Sequence, residues 1–154
     1  MKKLVKLTLL GVILIPLAIV GSPVAAEGEE LSLAILSVGY TDLDEDGLED
    51  DIYIEFNFAY NAKNDGVVKF ELYCQIGLPS TASHKSLYYI STNYQSLSLR
   101  IHAFNTATEP GDYKLDMIGV LKGNGGAPTV TTASIIFDPP GGTSGDPFYK
   151  IFMM

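Results

Sequence analysis

Two segments in the middle of the chain alternate apolar and polar residues without a break, and this pattern restricts the fold more than any other feature. In Ile52–Tyr60, the residues Ile52, Ile54, Phe56, Phe58 and Tyr60 fall on one side, and Tyr53, Glu55 and Asn57 fall on the other. Val68–Leu78 repeats the pattern, with Phe70, Leu72, Cys74 and Ile76 set against Lys69, Glu71, Tyr73 and Gln75. Successive side chains of a β-strand point to opposite faces, whereas a helix needs a period of 3.6. Such strands are apolar on one face only, and that face must be covered. Tyr94–Phe104 alternates as well, placing Leu97, Leu99, Ile101 and Ala103 opposite Ser98, Arg100 and His102. Ser32–Tyr40 is apolar and rich in strand formers, Ser86–Ser91 is short and less regular, and Asp112–Leu121 and Thr129–Phe137 complete a set of about seven. No segment sustains a helical repeat. The expected fold is all-β: an antiparallel β-sandwich of about seven strands.

The punctuation agrees. Asn61–Gly66 reads as a hairpin turn, and Glu109–Asp112 and Lys122–Gly126 read as loops. At the N-terminus, Lys2, Lys3 and Lys6 precede an apolar run from Leu7 to Val20, and Val24-Ala25-Ala26 offers small residues for cleavage. This is the layout of a secretory signal. The run is short of the roughly 20 residues a spanning helix needs, and Pro16 interrupts it, so removal of residues 1–26 is expected and a membrane association only if the segment is retained. The domain organisation read from the sequence is signal segment 1–26, β-sandwich 27–138 and C-terminal tail 139–154. The tail opens with Pro139-Pro140-Gly141-Gly142, and its apolar end, Phe148–Met154, reads as a last strand or a docking segment.

The formal charge is −8, and loss of three signal lysines takes it to −11. A chain of that sign repels nucleic acid and anionic lipid. The acid is concentrated in Asp42–Asp51, where Asp42, Asp44, Glu45, Asp46, Glu49, Asp50 and Asp51 follow one another almost without spacing. Calcium is a hard cation that takes six to eight oxygens at about 2.3–2.6 Å. Acids at alternate positions converge on one centre if the backbone curls round it, and Gly47 permits the sharp turn. Asp42, Asp44 and Asp46 are the alternating set, Leu48 would offer its carbonyl, Asp50 would bind directly or through water, and Asp51 could close the shell. Magnesium demands a tighter octahedron, and zinc would want His or Cys. The expected cofactor is Ca2+.

The stretch Asp42-Leu-Asp-Glu-Asp-Gly-Leu-Glu-Asp-Asp51 resembles the calcium loops of EF-hands, dockerins, thrombospondin type 3 repeats and integrin-type propeller repeats. It departs from the EF-hand at Tyr53, where that family places a bidentate Glu, and its flanks are strands. The strand-flanked loops are the nearer likeness, and they imply Asp42, Asp44, Asp46 and Asp50 as ligands. Pro110-Gly-Asp-Tyr-Lys-Leu115, with the alternating strand that follows, resembles the last two strands of immunoglobulin-like and PKD-like domains of exported proteins. That resemblance implies a corner anchored by Tyr113.

Other chemistry is thinly represented. Cys74 is the single cysteine and lies on an apolar strand face, which suits a core thiol. His84 and His102 have no Cys, Asp or second His at triad or ligand spacing, and no nucleophile, phosphate-loop or dinucleotide motif is present. An enzyme is therefore not expected, although paired carboxylates such as Glu71 or Asp116 keep a small secreted hydrolase as an alternative. Tyrosines are the remaining feature. Tyr53, Tyr73, Tyr89 and Tyr94 fall on polar faces or near a turn, where they could stack on sugars or anchor a protein. The functional expectation is an extracellular, calcium-stabilised binding or structural module, secreted or at the cell surface. Its partner would be an extracellular protein or carbohydrate, and the second alternative is a surface-layer or filament subunit.

Overall fold

The computed structural model describes residues 30–61, 66–122, 128–139 and 146–154. The signal segment and most of the turns expected at 61–66 and 122–126 lie outside them. Eight strands are present: β1 (Glu30–Thr41), β2 (Asp51–Asn61), β3 (Val68–Gly77), β4 (Ser83–Thr92), β5 (Ser96–Phe104), β6 (Tyr113–Leu121), β7 (Thr129–Phe137) and β8 (Phe148–Met153). They form two four-stranded antiparallel sheets, β1-β2-β5-β8 and β4-β3-β6-β7. Among the described residues no helix is long and apolar enough to cross a membrane.

The core is the sum of the inward alternations. Ile52, Ile54, Phe56 and Phe58 of β2 meet Phe70, Leu72 and Ile76 of β3 and Leu115 and Met117 of β6, all buried. Phe58 and Phe70 stack across the two layers with ring centroids 3.7 Å apart. Gly119 of β6 makes room for that stack, since a Cβ there would lie 3.0 Å from the Phe58 ring. Cys74 is buried among these residues, and burial pushes its thiol up to about 12.

Three strands take their course from partners outside their own pattern. β1 contains an extra residue between Ile35 and Ser37. The bulge shifts the inward set from Leu31, Leu33 and Ile35 to Val38, so no single period fits the segment. β4 runs the full length of β3, which templates it from Gly77↔Ser83 to Val68↔Thr92. The apolar end of the tail becomes β8, which pairs with the open edge of β5 through Leu99↔Met153 to Phe104↔Phe148.

The loop from β5 to β6 holds a small knot. The Tyr113 hydroxyl donates to the Glu109 carbonyl at 2.9 Å and accepts from the Glu109 amide at 2.8 Å. Its ring is fully buried. The loop is thereby pinned over one end of the core, next to the connection between β1 and β2.

Candidate functional site

The β1–β2 connection is the acidic loop. Gly47 adopts φ +94, and Glu45, two residues earlier, adopts φ 63. Two left-handed residues in three curl the chain so that amides point inward at carboxylates. The Asp42 carboxylate accepts from the Asp46 amide (3.1 Å) and the Gly47 amide (2.9 Å). Asp46 accepts from the Leu48 amide at 2.9 Å. Asp44 accepts a longer bond from the Asp46 amide at 3.3 Å.

Asp51 closes the ring. It is the first residue of β2, fully buried, and one of its oxygens accepts from the amides of Leu43 (2.6 Å) and Asp44 (3.1 Å). The other oxygen accepts from the Asn105 amide at 2.8 Å, at the end of β5. One carboxylate therefore ties the loop to both neighbouring strands.

Asp42, Asp44 and Asp51 each present an oxygen within 4.8 Å of the others. This acidic trio could hold a metal ion. An all-oxygen donor set suits a hard cation. Asp44 is exposed; partial desolvation by the surrounding loop raises its pKa, and the carboxylates of Asp51 and Asp46 add to the rise. Like charges held this close repel, and a cation between them removes that repulsion.

Of the other expected side-chain ligands, Asp46 and Asp50 are not part of this trio. Asp46 spends an oxygen on Leu48 and lies on the exposed rim. Leu48 is exposed. The Asp50 side chain is buried, and its carbonyl accepts from the amides of Thr106 (3.0 Å) and Ala107 (2.8 Å). Its role here is to bind the β5–β6 loop. Asn105 was not singled out from the sequence. The available signal was an Asn directly after a strand, a residue that tolerates the left-handed region it adopts here, φ 54.

The tyrosines divide between surfaces. Tyr53 sits on the outer face of the first sheet, its ring lying over Gly39 and beside the Arg100 guanidinium, 5.9 Å from the ring centre. Arg100 is ion-paired to Glu55, which also accepts from Ser37 at 2.7 Å. Tyr94 stands in the β4–β5 turn with its amide on Thr92. Tyr73 and Tyr89 share the outer face of the second sheet, because Tyr73 opposes Leu87 and Tyr89 opposes Glu71 across β3 and β4. The Tyr73 hydroxyl donates to Glu71 at 2.9 Å, and Lys122 pairs with the same carboxylate at 2.5 Å. These bonds hold the Glu71 carboxyl below its ordinary range, the lysine contributing most. Asp116, the other carboxylate of interest on this face, is held by Lys114 and Ser134.

No family model, curated protein or solved structure matches this chain.

Proposed function

We infer that the chain is an exported, immunoglobulin-like β-sandwich whose β1–β2 loop binds calcium and which serves outside the cell as a binding module. The observation that carries the metal part is the convergence of Asp42, Asp44 and Asp51 from the two ends of one loop. Their oxygens, carbonyls of the curled loop and water would make up the shell. The immunoglobulin-like reading is supported by the strand order of the two sheets and by Tyr113, whose hydroxyl grips the backbone four residues upstream. Export is supported by the lysine-led apolar segment at the N-terminus.

The ion's role in this reading is structural. At an affinity of roughly 0.1–1 mM, ordinary for extracellular modules, millimolar calcium would stabilise the fold by about 0.4–1.4 kcal/mol through mass action. It would lock Asp51, and with it the junction of β1, β2 and β5.

Melting curves with EDTA and with added calcium test the reading. The expected result is a midpoint that falls in EDTA and recovers in calcium but not in equimolar magnesium. Asp44→Ala, at an exposed position, should keep the fold and lose the calcium response. A wild-type curve that ignores both EDTA and calcium removes the metal from the account.

A further inference from the structure

The outer face of the sheet β4-β3-β6-β7 has an unusual charge for this chain. Of the seven basic residues that follow the signal segment, Lys69, Lys85 and Lys114 point outward here by register, and Lys122 joins them through Glu71. Only two carboxylates, Glu71 and Asp116, stand among them on the strands, so the face is net positive in an otherwise strongly acidic protein. Lys122 and Lys114 are paired with those two acids. Lys69 and Lys85 make no ion pair among the described residues.

Between these two lysines lie the exposed aromatics. Tyr89 is 74 % exposed and Tyr73 is 40 % exposed. They are diagonal neighbours across the β3–β4 pair, which places them about 7–8 Å apart. A cleft of about 200 Å³ lies on one side of them, lined by Tyr73, Gln75, Lys85, Asp116 and Ile118. A second of about 150 Å³ lies on the other side, lined by Lys69, Glu71, Tyr89, Ser91 and Lys122. From Gln75 to Lys69 the strand runs about 20 Å. The arrangement is linear: lysine, cleft, two tyrosines, cleft, lysine.

We propose that this face binds a carboxylated polysaccharide, a chain of uronate-type sugars laid along β3 and β4. Tyrosine rings offer apolar faces on which the C–H face of a sugar stacks. Gln75, Ser91, Glu71 and Asp116 offer acceptors and donors to the hydroxyls at the ring edges. Lys85 and Lys69 sit at the two ends to meet carboxylates. The low density of positive charge favours one negative charge per sugar, since a heavily sulfated chain would meet Glu71 and Asp116 at close range. The chain's overall acidity makes the local excess of lysine informative, because complementary charge selects and steers an anionic partner. The inference rests on the binding-module reading but is independent of the metal.

The test is calorimetric titration of the full protein with oligogalacturonate of four to six sugars, run in EDTA so that calcium cannot cross-link the ligand. Binding is expected, weakening as salt rises. Tyr89→Ala should weaken it about tenfold or more, with an unchanged circular dichroism spectrum because the side chain is largely exposed. Lys85→Ala and Lys69→Ala should each weaken it severalfold and flatten the salt dependence. Equal binding of a neutral oligosaccharide of the same length, tighter binding of a heparin oligosaccharide, or binding unmoved by Tyr89→Ala would overturn the proposal. So would self-association abolished by Tyr89→Ala, which would make the face a protein interface. If oligogalacturonate fails while the calcium response of the melting curve holds, this inference falls and the metal module stands.

Discussion

The two outer faces of the sandwich solve the same problem in opposite ways. On the first sheet, several of the outward polar and aromatic groups are engaged by a neighbour on the adjacent strand. Arg100 pairs with Glu55 and lies over Tyr53, Ser98 donates to Asn57 at 2.8 Å, and Phe104 stacks on Phe148 with centroids 4.2 Å apart. Lys150 stands over both of those rings. The second sheet leaves Tyr89, Leu87, Ile118, Val130 and Ile136 exposed, with Lys69 and Lys85 in no ion pair among the described residues. Cross-strand pairs stabilise a sheet only where the partners reach each other. The first face spends its charged groups on one another around a cleft of about 260 Å³ lined by Ser37, Tyr53, Glu55, Arg100 and His102, whereas the second withholds more of its tyrosine and lysine side chains from such pairing.

The largest expected effect that would break this contrast comes from Gly39. A Cβ there would lie 2.3 Å from the Tyr53 hydroxyl oxygen. Gly39→Ala must swing the end of the Tyr53 side chain aside, and because that side chain is only partly buried the cost is held to about 1 kcal/mol in chemical denaturation. In a Tyr53→Ser background the same change should cost nothing, because the obstruction has gone; equal costs in both backgrounds would mean the ring is not what Gly39 accommodates.

A second, smaller effect separates the faces by pH. The hydrogen bond from Ser37, then that from Arg100, lowers the Glu55 pKa from its ordinary 4.5. A depressed folded-state value means the contribution is complete above 4.5 and is lost as pH falls through the lowered value. The stability gap between wild type and Glu55→Gln should therefore close between about pH 5 and pH 3. Glu71→Gln should show the same sign with a smaller amplitude, since Lys122 is 62 % exposed and its pairing is screened. A gap that widens with acid at Glu55 would contradict the geometry.

The smallest effect is a near-absence. Val130→Thr and Ile136→Thr, on the open face, should each change unfolding free energy by no more than about 0.5 kcal/mol. A loss of more than 1 kcal/mol at either would show that the face is packed against something within the protein.

The strands that were legible in the amino-acid order are those paired on both sides, β2, β3, β5 and β6. Each has one face in the core, so the period of two is imposed along its whole length. In the acidic loop, the alternating aspartates and Gly47 were equally plain, because a chain that curls round a point needs local spacing and one permissive residue. These are properties of neighbours in sequence, and sequence carries them.

What lay beyond that reading depends on partners far along the chain. Whether Asp50 or Asp51 completes the acidic ring is a matter of one position, and it was settled by the pairing of Asp51 with Thr41 and by the amide of Asn105, 54 residues away. The division of Tyr53 from Tyr73 and Tyr89 follows from which sheet each strand joins. The gathering of four lysines on one face follows from the register of β3 against β4 and β6. A strand's own pattern tells which residues share a side, but hydrogen bonding to a distant strand chooses what that side confronts.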